Sequence, residues 1–300
     1  MIVTHTFLDK TWIDLSSPTE EEVNSLIFTH NIDPLIAKDL LAPTPKQQAR
    51  EASDSIYAVL HIPSFQNSKR EIAVQEIDCL IKRSELITCR YDSIDALHYF
   101  AKQVEVNEIL NKGSFSHPFF GMMRELYKFL QDELAYTEGW LSEIERSIFG
   151  GKEKEMVFAI SAVSRNMLGV KRALNPHQGV LQSLSVMGSK KWGDEFREES
   201  LLLMEEWQRL MLVVDNLEDI VNELRSTNDS MLSTKQNEIM KTLTILAFIV
   251  VPLATISQIF GMNTLYNPIV GWANDFWIVV GLMLTLALAM LALFKYKKWI

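Results

Sequence analysis

No charged residue occurs between Thr242 and Asn274, and none between Phe276 and Phe294. A helix needs about 20 apolar residues to cross ~30 Å of hydrocarbon. Once there, its backbone has to pair within itself. The second run, FWIVVGLMLTLALAMLALF, fits that length directly. The first fits as a helix from about Thr242 to Phe260, stopped by Gly261, Asn263, Asn267, Pro268 and Gly271, poor helix formers close together. The expectation is two membrane spans joined by a loop from Gly261 to Asp275. The alternative is a helical hairpin inside a globular core, where two such runs closed by a Lys-rich terminus are hard to place.

Averages over the 300 residues conceal this division, at 48% hydrophobic and 22% charged. They exclude a disordered chain, a collagen-like repeat and a small disulfide scaffold. Residues 242–300 hold one acid, Asp275, and three lysines, which leaves 37 acids against 26 bases and a net charge of −11 over residues 1–241. Such a balance argues against nucleic acid as a partner. It suits cations, or serves only solubility. Cys79 and Cys89 fall in apolar runs that read as strands, two buried thiols of a reducing compartment. The histidines are scattered singly, and no His/Cys group has zinc spacing. No phosphate loop or nucleophile elbow appears, so an enzyme is not expected and no organic cofactor is implied.

Orientation follows from the lysines. Lys235 and Lys241 precede the first span, Lys295, Lys297 and Lys298 follow the second, and the loop between has neither Lys nor Arg. The positive-inside rule then places both termini in the cytoplasm, with Lys241, Lys295, Lys297 and Lys298 at the membrane interface. Trp272 and Trp277 near the loop, and Tyr296 and Trp299 near the lysines, suit interfacial belts. The N-terminus, MIVTHTFLDKTWIDL, lacks the features of a signal peptide, so the acidic body is expected on the side where it is made. The lack of a transit peptide favours a prokaryotic plasma (inner) membrane.

The body divides by period. Residues 1–114 read as an α/β domain. Short strands are expected at Ile2–Thr6 and Trp12–Leu15, and β-rich runs at Ser55–His61, Ala73–Lys82 and Glu85–Arg90. Ser17-Pro18-Thr19-Glu20 reads as a capping box with Pro at the first helical position. Further helices are expected over Asp33–Leu41 and about Ile94–Leu110. Residues 115–241 read as long helices and a stalk: Phe119–Ile148, a Gly150-Gly151 turn, Met156–Leu174, a break at Pro176 and a loop over Gly188–Gly193. From Asp194 there is no Pro or Gly before Pro252, enough for roughly 85 Å of helix. It leads into the first span of the 242–300 hairpin.

Along that helix, alternating steps of four and three pick out Ser226, Ser230, Ser233, Asn237, Met240, Thr244, Ala247, Val251, Ala254, Gln258 and Gly261. This is a 3.5-residue stripe on one face. Small residues suit a packed helix seam. They equally suit a pore lining, wet at the serines and Asn237, with Met240 and Val251 as apolar constrictions. Two spans cannot enclose a pore, so that reading requires a closed cyclic oligomer.

Phe260-Gly261-Met262-Asn263 at the end of the first span, together with the terminal Lys295-Tyr296-Lys297-Lys298-Trp299, resembles the CorA family of divalent-cation channels, whose signature is an aromatic-Gly-Met-Asn at this place. Asn237 before the membrane and Pro252 within the span strengthen the likeness, which is closest over Asn237–Ile300. The resemblance implies an α+β membrane protein assembled as a funnel-shaped homopentamer, with a cytoplasmic α/β head, a long helical stalk and two C-terminal transmembrane helices in the bilayer. It implies passive movement of hydrated Mg²⁺, and of Co²⁺ and Ni²⁺, inward along the membrane potential. Asn263 would meet the hydrated ion, Gly261 would allow the bend and Met262 would pack the loop. Asn237, Met240, Leu243, Thr244, Ala247, Val251, Ala254 and Gln258 would line the path. Mg²⁺ would also act as a regulatory ion on the stalk, where Glu198, Glu199, Glu205 and Glu206 lie near the position used by some relatives. The outer loop departs from the family pattern: Asn267-Pro268-Ile269 stands where many relatives carry an acid. A zinc transporter of the same fold, and a non-conducting membrane-tethered sensor or scaffold, remain the alternatives.

Overall fold

The computed structural model describes residues 2–7, 10–66, 71–92, 97–98, 100–102, 117–262, 269, 271, 274–297 and 299. The chain forms two compact units, Met1–Ser226 and Thr227–Ile300. The first unit places the α/β elements and the long helices up to Ser226 around one body.

Six strands make the sheet: β1 (Ile2–Phe7), β2 (Lys10–Ser16), β3 (Gln48–Glu51), β4 (Ile56–Gln66), β5 (Glu71–Ile81) and β6 (Glu85–Arg90). Their order is β1-β2-β6-β5-β4-β3, antiparallel except for the β2–β6 pair. In β6 the four consecutive residues Leu86, Ile87, Thr88 and Cys89 are all buried. That pattern marks a strand covered on both faces. One face packs Ile13, Leu15, Tyr57, Val59, Leu80, Ile87 and Cys89 against Val23, Leu26, Ile36, Ala37 and Leu40. Those last five come from α1 (Glu20–Thr29), α2 (Pro34–Asp39) and the α2 cap. The opposite face lies against α3 (Pro118–Phe149), α4 (Glu153–Leu174) and α5 (His177–Trp192).

The parallel β2–β6 pair carries a buried polar chain. Trp12 Nε1 donates to Thr88 Oγ1 (2.9 Å), Thr88 donates to Asp14 Oδ1 (2.8 Å), and Arg90 Nε donates to Asp14 Oδ2 (3.0 Å). Within this chain Trp12, Thr88, Asp14 and Arg90 each find a partner, which offsets the cost of burying them bare. Cys79 and Cys89 are free buried thiols on neighbouring strands.

Local readings differ from the sequence at several points. The cap of α1 is Thr19: its Oγ1 accepts from Glu22 N–H (3.3 Å), and the Glu22 carboxylate accepts from Thr19 N–H (2.9 Å). The expected Ser17–Glu20 box fails because the same spacing recurs two residues on, while Ser17, at φ 43°, turns to donate its hydroxyl to the Tyr91 carbonyl. Strand β4 runs past His61 to Gln66 because Pro63 lies beyond the reach of β3, on an edge where no ladder N–H is required. Of the helix expected over Ile94–Leu110, Leu97, His98 and residues 100–102 are helical or adjoin helix, and the rest lies outside the described residues. No loop separates Gly188 from Gly193. Helix α5 continues through Gly188, which is bare because a Cβ there would meet the Phe196 ring at 2.1 Å. Only Gly193, at φ +92°, stops the helix.

Helix α6 then runs unbroken from Asp194 to Phe260, 67 residues. Against α4 it is held by Lys171, whose Nζ lies 2.9 Å from Asp215 Oδ1 and 2.5 Å from Glu218 Oε2. Trp207 Nε1 also donates to the Leu174 carbonyl (2.9 Å).

Two buried histidines fix their own tautomers. His177 Nε2 lies 3.0 Å from the His61 carbonyl, which can only accept, and complete burial disfavours the charged ring, which leaves Nδ1 as the acceptor for Tyr127 Oη–H (2.8 Å). His117 donates to the Lys82 carbonyl and accepts the Phe119 N–H at the start of α3. Both rings are therefore neutral, and burial pushes each pKa down to about 4. An unfolded histidine titrates near 6.5, so unfolding takes up a proton between the two values. The stability held by each neutral ring is complete above about pH 6.5 and falls as pH drops towards 4, by about 1.4 kcal/mol per pH unit per ring. His177→Gln, which keeps a donor and an acceptor, should flatten the acid-side fall in apparent Tm of the detergent-solubilised protein by one proton's worth. An unchanged pH profile would mean that the folded ring is already charged.

Candidate functional site

The second unit holds the end of α6 and α7 (Asp275–Tyr296). Both helices are long and apolar enough to cross a membrane. In this part of α6 the half-buried residues include Ile245, Ile249, Pro252, Leu253, Ile256 and Phe260, spaced at helical period. On α7 they include Val279, Met283, Leu286, Ala287, Met290 and Phe294, again one face. Phe248 and Phe294 meet edge to face, with ring centroids 6.4 Å apart. At 3.6 residues per turn, the stripe from Ala247 to Gly261 lies about 180° around α6 from that half-buried face. The stripe is therefore uncovered in the single chain.

Asn237, Met240, Leu243, Ala247, Val251, Ala254 and Gln258 are exposed, and Thr244 is half-buried at the stripe's edge. The threonine hydroxyls are satisfied within the helix. Thr244 donates to the Met240 carbonyl (2.7 Å) and Thr255 to the Val251 carbonyl (2.9 Å). Pro252 has no N–H to give the Phe248 carbonyl one turn back.

At the end of α6, Gly261 N–H closes the last turn on the Ser257 carbonyl (2.9 Å). A Cβ on Gly261 would stand 3.1 Å from that same oxygen, a tight approach that glycine avoids. Met262 is 59% exposed in the single chain. Asn263 lies outside the described residues, as do Trp272 and Lys298. The far end of the loop is tied by Asp275, which accepts from Gly271 N–H (3.1 Å) and Phe276 N–H (2.7 Å). Lys241, Lys295 and Lys297 are exposed.

The four stalk acids separate into two pairs, each seven residues apart. Glu199 and Glu206 turn inward onto Arg124 of α3, at 2.9 Å and 3.3 Å, and burial raises both carboxyl pKa values against the pull of the guanidinium. Glu198 and Glu205 are exposed. Among the described residues, no three His, Cys, Asp or Glu side chains converge as a metal site. Arg124 was not anticipated from the sequence. Its signal is a single cation in the apolar stretch Phe119–Tyr127, with two acids at heptad spacing to receive it.

The CorA-like Mg²⁺ transporter family model matches residues 9–297. The cobalt/magnesium transport protein CorA of Thermotoga maritima is 23% identical over 296 residues, covering 97% of this chain and 83% of that protein. A namesake from Methanocaldococcus jannaschii is 23% identical over 294 residues, covering 96% and 91%. The complete structure of the CorA magnesium transporter from the same organism superposes with a TM-score of 0.84 at 22% identity, over 98% of this chain and 93% of that one. The cytoplasmic domain of ZntB from Vibrio parahaemolyticus is more distant, with a TM-score of 0.59 at 13% identity over 79% of this chain and 98% of that one. Family model and fold agree over nearly the whole length, and the chain belongs to the CorA family of membrane ion transporters, which are not enzymes.

Proposed function

We propose that the chain is one subunit of a homopentamer that conducts hydrated Mg²⁺ into the cytoplasm, with Co²⁺ and Ni²⁺ as further cargo. The observation that carries this reading is the stripe on α6. It is polar in the stalk and small or moderately apolar along the span, with Thr244 and Gln258 as its polar groups there, and it faces away from α7, so a second span of the same chain does not cover it. Five such helices around one axis would cover it with one another and leave water between them. The relatives' names supply Mg²⁺ and Co²⁺.

Mg²⁺ dehydrates reluctantly and keeps its waters. Asn263 at the outer mouth offers a carbonyl that accepts from those waters without holding the ion as a carboxylate would. Asn237 offers a second such position inside. Met240, with Leu243 or Thr244, and Val251 form the narrow region. With the lysines at both helix ends on the cytoplasmic side, an inside-negative potential supplies about 2.3 kcal/mol per charge per 100 mV, hence about 4.6 for a divalent ion. Five copies of the body sum to about −55 at the formal charges of the sequence, and this concentrates cations at the inner face.

Regulation by internal Mg²⁺ falls to Glu198 and Glu205, the two acids not engaged with Arg124, with further ligands from a neighbouring subunit. Liposomes holding the purified protein should take up Mg²⁺ under an inside-negative potential, and Asn263→Ala should abolish uptake while the oligomer survives. No Mg²⁺ movement in the unsubstituted protein sinks the proposal. The two acid pairs should separate cleanly. Glu198→Ala/Glu205→Ala should raise flux at high internal Mg²⁺ and change stability by less than about 0.5 kcal/mol, as for surface positions. Glu199→Ala/Glu206→Ala should remove both carboxylates that face Arg124 and destabilise by about 1–3 kcal/mol, read as a lower melting temperature. Unchanged inhibition in the first double variant removes Glu198 and Glu205 from regulation.

A further inference from the structure

At the end of the hairpin where α7 finishes, a cleft of about 280 Å³ is lined by Phe248 of α6 and by Met290, Leu293, Phe294, Lys297 and Trp299. Its floor is hydrocarbon and its rim carries an ammonium group. The shape is built, because Lys297 and Trp299 are bonded back onto α7. Lys297 N–H returns to the Leu293 carbonyl (3.0 Å), and Trp299 N–H reaches the Phe294 carbonyl (2.9 Å). That second bond reaches five residues back, the span that closes a Schellman cap. The hydrophobic contact that accompanies such caps is present as the Phe294 and Trp299 rings, stacked at 5.9 Å and 18°. Trp299 therefore forms a fixed wall. Lys241 lies seven residues before Phe248 on α6, on the same helix face and about 10 Å further towards the same end.

We propose that this cleft binds one anionic phospholipid, with an acyl chain along Phe248, Met290, Leu293 and Phe294 and the phosphate between Lys297 and Lys241. An apolar trough with cationic groups only at its polar end matches a lipid whose head is negative, and disfavours a zwitterionic head whose own ammonium would face the lysines. A soluble anion would gain nothing from the trough. With the orientation proposed above, this lipid belongs to the cytoplasmic leaflet; the lipid class and the cleft do not rest on that orientation. Lipid retention is also read without any ion flux, so its failure and that of the transport reading are distinguishable.

The test is native mass spectrometry of the full-length protein in mild detergent, titrated with dioleoylphosphatidylglycerol or dioleoylphosphatidylcholine. Each lysine near a phosphate favours the anionic lipid by about fivefold. Retention of phosphatidylglycerol should therefore exceed that of phosphatidylcholine by at least that factor. Lys297→Gln should lower the preference by about fivefold and Lys297→Arg should keep it. Leu293→Trp, which fills the trough and leaves every lysine in place, should abolish it. Equal retention of the two lipids by the unsubstituted protein would overturn the proposal. So would full retention of phosphatidylglycerol by Leu293→Trp, which would assign the lipid to diffuse charge at the chain end. Should Leu293→Trp not assemble, the contrast between the Gln and Arg variants at position 297 decides.

Discussion

Water cannot serve the backbone of a segment that lies in hydrocarbon, and the C-terminal fifth of the molecule is arranged around that constraint. Both apolar runs are helices, so their N–H and C=O groups pair internally. Their threonine hydroxyls donate to carbonyls of the same helix instead of remaining bare. The places where the helices end are closed with equal care. Gly261 N–H completes the last turn of α6, Asp275 gathers two N–H groups at the start of α7, and the Phe294–Trp299 cap finishes it. Pro252 is the exception inside a span, leaving one carbonyl without its usual donor.

The body obeys the same accounting of polar groups in a different setting. A sheet covered on both faces has little access to solvent, so Trp12, Thr88, Asp14 and Arg90 satisfy one another across β2 and β6. His177 and His117 each donate from one ring nitrogen and accept at the other. Asp78, fully buried, accepts from Tyr91 Oη at its Oδ2 (3.1 Å), and burial, with the charge of Glu76 adding to it, raises its pKa to about 8. The long helix α6 is fastened to this body by ion pairs from Lys171 and Arg124.

What could be read from the sequence follows the range of the interactions. The two spans, the strands of β1, β2 and β6, the Gly150-Gly151 turn and the long helix depend on local period and composition, and all stand in the structure. The stripe was legible too, because a helix converts spacing into direction. The strand order was not, since it rests on partners such as Trp12 and Thr88, 76 residues apart. Gly188 misled for a related reason: its bareness serves a ring at Phe196 rather than a break in the helix. The Ser17 box failed because two caps with the same spacing overlap, and only the contact of Ser17 with Tyr91 decides between them. Among the stalk acids, the sequence offered four equivalents, and Arg124 alone distinguishes the inward pair from the outward one.

The back-bonded hydroxyl of Thr244 has a consequence for ion charge. Its proton is already given to the Met240 carbonyl, so away from the helix the oxygen presents only lone pairs. In the proposed channel such a group is a one-way partner. Water around a cation points its hydrogens outward and finds acceptors; water around an anion points its oxygens outward and finds none. A ring of neutral threonines can thus discriminate sign through the polarity of hydration shells, with no fixed charge in the membrane to hold the ion back.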